Sequence, residues 1–239
     1  MRDNTFIWTD LSCYNPKSSI EFYQYIFGWH IHDSVGYHVA YKGMEEIVGI
    51  YETPEFFKKI KMPHFWMNYI KVADVASTVE KANQLGAKVE IADAEFYGGR
   101  IALIRDPMGA GFTIYDGNKL RQTETAINGL VVGRELQVSN AQIAMDFYAG
   151  LLGWHFVQGE SSNQFNAFSD DEKYITSIQE IDNATKGKYE YWVTIFGVND
   201  MKTTQDKILS ADGSLISDEG NRMLFTDCFG EAFFYVEGI

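Results

Sequence analysis

The sequence predicts an α+β protein of four β-α-β-β-β units arranged as two tandem halves. Three observations carry this. The phrase Ile20-Glu-Phe-Tyr-Gln-Tyr-Ile-Phe-Gly-Trp-His-Ile31 returns as Met145-Asp-Phe-Tyr-Ala-Gly-Leu-Leu-Gly-Trp-His-Phe156. A match of that quality at a fixed separation marks an internal duplication. Within each copy, a strand, a helix and three strands can be read twice in succession. Between the copies, Gly117 to Gly129 is polar, turn-forming and without sustained periodicity, as a connection between domains is. The expected division is a first domain over 1–117, a linker over 118–129 and a second domain over 130–239.

The first element, Phe6 to Cys13, alternates: Ile7, Thr9, Leu11 and Cys13 share one face, and Trp8, Asp10 and Ser12 the other. It reads as a strand. Asn15-Pro16 then offers an N-cap with proline at the first helical position, and Gly28 offers the stop. Between them Ile20, Tyr23, Ile26 and Phe27 form an apolar stripe at helical spacing. Short strands follow at 29–32, 37–41 and 47–51, punctuated by Gly36 and Gly43. After a loop carrying Pro54 and Pro63 the order restarts. A strand over 65–72 leads to a helix capped by Asp74 and stopped near Gly86, then to strands over 88–91, 101–105 and 112–115. In the second half, 134–138 repeats the first strand with Glu135 in the place of Asp10, and Asn140 repeats Asn15. Residues 191–196 followed by Asp200 repeat 65–74, and Asp227-Cys-Phe-Gly230 weakly repeats Asp106-Pro-Met-Gly109.

At 239 residues, two domains of ordinary size can each bury a core. Aromatic residues reach 15%, which suits large packed surfaces or cavity walls. The net charge of −13 argues against nucleic acid and anionic membrane surfaces as partners, because both depend on Lys and Arg releasing counterions. Cys13 and Cys228 have no spacing for a metal site or disulfide framework and are expected as reduced thiols. The N-terminus lacks an apolar signal region, and no run approaches a membrane span. The expected location is the cytoplasm, as a monomer or homodimer.

A pair of such units with Phe-Tyr and Gly-Trp around the first helix, and Asp106-Pro-Met-Gly-Ala110 before the last strand, resembles the vicinal oxygen chelate superfamily of glyoxalases, bleomycin-resistance proteins and extradiol dioxygenases. The resemblance covers both halves. It implies curved mixed sheets around cavities with helices outside, so that Trp8, Asp10 and Ser12 face inward. It also implies a divalent metal held by His, Gln or Glu on the first and last strands of each unit, with positions left open for a bidentate substrate whose developing enolate the metal stabilises. Carried onto this sequence, those positions fall on Trp8, Asn68 and Thr113, then on Gly133, Thr194 and Phe234, with a fourth near Gly49 and Ser177. These are not a metal-binding set. No metal ligand is assigned and no cofactor is expected; a divalent metal held by other residues is the alternative.

Asp10 and Glu135, at matching strand positions, are the candidate catalytic residues. Each could be a general base, a weak metal ligand, a partner for a substrate cation, or a structural acceptor. The candidate ligand-binding residues are Trp8, Trp66, Asn68, Thr113, Tyr115, Gln137, Trp192, Thr194 and Phe234, since a few polar groups on an aromatic lining describe a small-molecule pocket. His30 and His155 follow the packed tryptophans and read as structural; His38 and His64 have no mirrored counterparts. Gly98-Gly99-Arg100 reads as a hairpin turn rather than a phosphate loop, with Arg100 near the cavity mouth. The leading reading is a protein that binds a small organic molecule without the standard metal site. Whether it is an enzyme stays open; if so, it is a glyoxalase-like lyase or a dioxygenase-like oxidoreductase. The alternatives are a metal-dependent lyase or dioxygenase using Asp10, His38, His64 or Glu135, and a non-catalytic protein-interaction or drug-sequestering module.

Overall fold

The computed structural model describes residues 3–34, 36–122 and 127–239; residues 123–126 of the expected linker lie outside them. The first unit comprises β1 (Phe6–Cys13), α1 (Pro16–Phe27), β2 (His30–Ser34), β3 (Tyr37–Lys42) and β4 (Glu45–Glu52), followed by a short α2 (Glu55–Lys59). The second comprises β5 (Phe65–Lys71), α3 (Val75–Gln84), β6 (Lys88–Phe96), β7 (Gly99–Arg105) and β8 (Gly111–Tyr115). The third comprises β9 (Val131–Val138), α4 (Ala141–Leu152), β10 (His155–Gln158), β11 (Gln164–Phe168) and β12 (Tyr174–Glu180), followed by a short α5 (Asn183–Lys186). The fourth comprises β13 (Tyr191–Val198), α6 (Met201–Ser210), β14 (Ser214–Asp218), β15 (Arg222–Thr226) and β16 (Phe233–Gly238).

These strands make two mixed eight-stranded sheets with one order repeated, β2-β3-β4-β1-β5-β8-β7-β6 and β10-β11-β12-β9-β13-β16-β15-β14. In each unit the first and last strands pair in parallel, as β1 with β4, β5 with β8, β9 with β12 and β13 with β16. The helix between strands supplies the crossover that a parallel pair needs.

The four longer helices begin alike. Asn15, Asp74, Asn140 and Asp200 each accept a backbone N–H three residues on, which satisfies a donor that the first helical turn leaves open. Gly28 and Gly153 close α1 and α4 in the left-handed conformation at φ 67° and 72°. Replacing Asn140 with Ala is expected to cost about 1 kcal/mol in urea unfolding; an unchanged midpoint would contradict the capping role.

Two elements differ from the sequence expectation. Strand β6 continues to Phe96 because bulges between Val89 and Ile91 and between Ile91 and Ala94 absorb the left-handed residue Asp93, φ 57°. The loop after β4 contains α2. No helix among the described residues is long and apolar enough to cross a membrane.

The sheets follow the sequence halves, but compactness does not. One compact unit joins Met1–Trp8, Asn68–Arg121 and Arg134–Trp192; the other joins Thr9–Met67, Gln122–Gly133 and Val193–Ile239. Each has its own apolar core. In the first, Phe112, Ile114, Leu136, Phe147, Tyr148 and Trp154 are central; in the second, Leu11, Tyr23, Phe27, Ile50, Phe196 and Phe234 are.

Candidate functional site

In the unit that begins at Thr9, strand register does the positioning. β1 and β4 set Asp10 opposite Gly49 and Ser12 opposite Tyr51, and β3 sets Tyr37 opposite Tyr51 and Val39 opposite Gly49. Directly opposed residues share a face and sequence neighbours alternate. Asp10, Ser12, Tyr37 and Tyr51 therefore stand on the face opposite to Leu11, Cys13, Val48 and Ile50, which lie in the core.

The Tyr37 hydroxyl donates to Asp10 Oδ1 at 2.5 Å. Its ring lies nearly parallel to that of Tyr51, with centroids 6.4 Å apart, and the Ser12 and Thr53 hydroxyls share a hydrogen bond of 2.9 Å. Asp10 is fully buried while Tyr37 is half-buried, so the carboxylate is protected and part of the tyrosine side chain meets solvent. A side chain at position 49 would overlap both Tyr37 Oη and Asp10 Oδ1. Burial first, and the nearby Asp10 charge second, push the Tyr51 phenol well above its ordinary range and keep it neutral.

The matching position in the other unit is furnished differently. Register places Ser177 opposite Glu135, Gln179 opposite Gln137, and Gln164 opposite Gln179. Glu135 is buried and accepts from the Ser177 hydroxyl at 3.1 Å, with the Gln137 amide at the limit of hydrogen bonding, 3.5 Å. Serine thus stands in the register place of Gly49, and glutamines in the places of Tyr37 and Tyr51. The Tyr191 phenol rises to about 12 through burial and then the Glu135 charge.

Asp10 and Trp66, Thr194 and Phe234 belong to one unit, but not to one face. Trp66 and Phe234 lie in the core, each against Tyr23 and Phe196, and Thr194 is paired in register with Phe234. In the other unit Trp192 packs edge-on against Phe6 at 5.2 Å and against Tyr148 at 5.6 Å. Asn68, on the Ile70 face of β5, accepts from Arg134 Nε at 2.8 Å. Arg134 also donates to the Trp8 carbonyl at 3.3 Å and lies over the Phe6 ring at 4.7 Å; burial draws its guanidinium down to about 9. Thr113 and Tyr115 are on the opposite face, against Tyr69 and Lys71 in register, where the Tyr115 hydroxyl donates to the Tyr97 carbonyl at 2.9 Å. Arg100 is ion-paired with Asp93. Sequence reading missed Tyr37, Tyr51 and Gly49; the available signal was the isolated glycine inside β4, which marks a close approach.

Asp106 and Asp227 hold matching turns. Asp106 Oδ1 accepts three backbone N–H groups, from Met108, Gly109 and Ala110, and its Oδ2 accepts from Tyr148, whose oxygen in turn accepts from Trp192 Nε1. Asp227 caps its own turn in the same way. There, however, Oδ2 is 3.2 Å from His64 Nδ1, and the corresponding Tyr23 hydroxyl and Trp66 Nε1 do not continue the chain to Asp227. His64 Nε2 accepts the Tyr14 N–H at 3.0 Å, so its proton sits on Nδ1.

The donor chemistry does not fit a divalent metal at the positions implied by the resemblance. Asn68 Oδ1 is spent on a guanidinium, Phe234 is in the core, the Ser177 hydroxyl is given to Glu135, and Gly49 and Gly133 have no side chain. Among the described residues no group of three or more His, Cys, Asp or Glu is placed to hold a metal.

Comparison with known proteins agrees with the strand order. Residues 5–114 match the family model described as the Glyoxalase/Bleomycin resistance protein/Dioxygenase superfamily. CFP32 of Mycobacterium bovis, which carries a provisional glyoxylase name, is 26% identical over 231 residues, spanning 91% of this chain and 86% of its own. The anthracycline biosynthesis protein DnrV of Streptomyces peucetius is 24% identical over 257 residues, spanning 96% and 92%. The crystal structure of 2,2',3-trihydroxybiphenyl 1,2-dioxygenase from Sphingomonas wittichii superposes with a TM-score of 0.66 at 10% identity, over 100% of this chain and 91% of that one. That likeness is one of fold.

Proposed function

We propose that this chain, whose residues 5–114 match the glyoxalase/bleomycin resistance protein/dioxygenase superfamily, belongs to that superfamily through both halves and binds a small, flat, oxygen-bearing organic molecule beside Asp10, Tyr37 and Tyr51 without the superfamily's metal. The carrying observation is the hydrogen bond from the half-buried Tyr37 phenol to the buried Asp10 carboxylate. A phenol held this way presents its oxygen to a ligand hydroxyl. As Tyr37 accepts the ligand's proton it can pass its own to Asp10, so that the phenol stays neutral, Asp10 ends protonated and the ligand oxygen ends as the anion; the pair can act as a general base. The parallel Tyr51 ring favours a flat partner. The Streptomyces relative's name points to fused, oxygenated aromatic rings as the class to test first.

The probe is 1,4-dihydroxyanthraquinone, followed by quenching of tryptophan fluorescence. Tyr37→Phe and Asp10→Asn are each expected to weaken binding at least about tenfold, the scale of one hydrogen bond to a charged group. Equal affinity in wild type and both variants would reject the site. Catalysis and sequestration make the same demand on binding and part only at turnover, which mass spectrometry of the recovered probe reads directly.

A further inference from the structure

We infer that Gly49 decides which half of the chain takes the ligand, an inference that rests on the binding reading above. The two halves carry a carboxylate at the same register position, Asp10 opposite Gly49 and Glu135 opposite Ser177. Only in the first does the opposed residue lack a side chain and leave room beside the carboxylate. Into it comes Tyr37 from β3, and any Cβ at position 49 would overlap the phenol oxygen and the carboxylate oxygen together. The need for glycine is spatial: Gly49 is not among the residues with positive φ, so other residues can adopt its backbone.

In the second half Ser177 fills that space and gives its own hydroxyl to Glu135. The residue in the Tyr37 place, Gln164, turns instead toward the neighbouring turn, its Oε1 accepting the Glu160 N–H at 3.2 Å. The residue in the Tyr51 place, Gln179, donates to the Asn163 carbonyl at 3.2 Å. From the opposed strand and its neighbour, the second carboxylate therefore receives a short hydroxyl where the first receives a phenol. One ligand of the flat, oxygenated class binds per chain, in the first half, and Gly49 is the specificity-determining residue.

The test joins crystal structures of Gly49→Ala and Gly49→Ser to titration of the same proteins with 1,4-dihydroxyanthraquinone. The nearest atoms met by an added Cβ belong to the Tyr37 and Asp10 side chains and not to backbone, so both variants should fold with unchanged circular dichroism. Expected are displacement of the Tyr37 ring beyond hydrogen-bond reach of Asp10, a loss of affinity of at least about tenfold, and a wild-type stoichiometry of one. A Gly49→Ala structure that keeps the Tyr37–Asp10 bond, or a wild-type stoichiometry of two, overturns the inference. The two possible failures are distinct. If the wild type takes up no probe, the binding reading falls and carries this one with it; if wild type and Gly49→Ala bind alike while Tyr37→Phe does not, only the role of Gly49 falls.

Discussion

Truncating Phe27 to alanine should destabilise the protein by about 3–5 kcal/mol, the usual range for removing a buried phenylalanine ring. Phe27 ends α1 with 2% of its surface exposed. Its ring meets Trp29 at 5.1 Å, Phe196 at 4.9 Å, Tyr23 at 6.2 Å and Phe234 at 6.3 Å. Four aromatic neighbours make a rigid wall that cannot collapse into the gap, which places the loss toward the upper end of the range. Phe27→Leu keeps most of the volume and should cost well under half as much. Urea unfolding of the three proteins at one temperature measures both. A Phe27→Ala loss below about 1.5 kcal/mol would show that the wall relaxes.

The second large effect is a dependence on pH. Burial holds the Asp106 carboxyl at about 6, above the ordinary 3.8, against the opposing hydrogen bonds from Ala110, Met108, Tyr148 and Gly109. A carboxyl raised in the folded state stabilises fully below the unfolded value and ceases to as pH climbs through the folded one. Its contribution is therefore present near pH 3.5 and lost between about pH 4 and 6.5, by roughly 3 kcal/mol for a shift of this size. In Asp106→Asn the amide oxygen can still accept the turn's N–H groups, and this dependence should vanish. Subtracting the variant's unfolding free energy from that of wild type across a pH series isolates the effect; a difference that grows with pH would reverse the assignment.

Much of the architecture was legible because it rests on local chemistry. Asn15, Pro16 and Gly28 bound α1, and Leu11 and Cys13 alternate with Asp10 and Ser12 as the cores require. What escaped was register. Asn68 and Trp66 lie one residue away from the face that carries Met67 and Tyr69, and a shift of one position exchanges the two faces of a strand. For the same reason Trp66, Trp192 and Phe234 read as cavity walls in sequence, while their contacts are with the aromatic cores. Tyr37 reaches Asp10 from a strand separated from it by a helix and another strand, and no sequence spacing announces such a meeting. Asp10 could be singled out in sequence because the duplication puts an acid at both equivalent places.

The Asp227 turn and its twin at Asp106 show where two copies of one design have parted. At Asp106 the seam of indole, phenol and carboxylate closes from within: Trp192 to Tyr148 to Asp106. At Asp227 the second carboxylate oxygen goes to His64, from the loop ahead of β5, and not to Tyr23, whose hydroxyl and the Trp66 indole lie buried beside it. One copy is self-sufficient and the other is on loan to a loop. A change at His64 therefore falls not on a surface loop alone but on the buried carboxylate that holds the turn before β16.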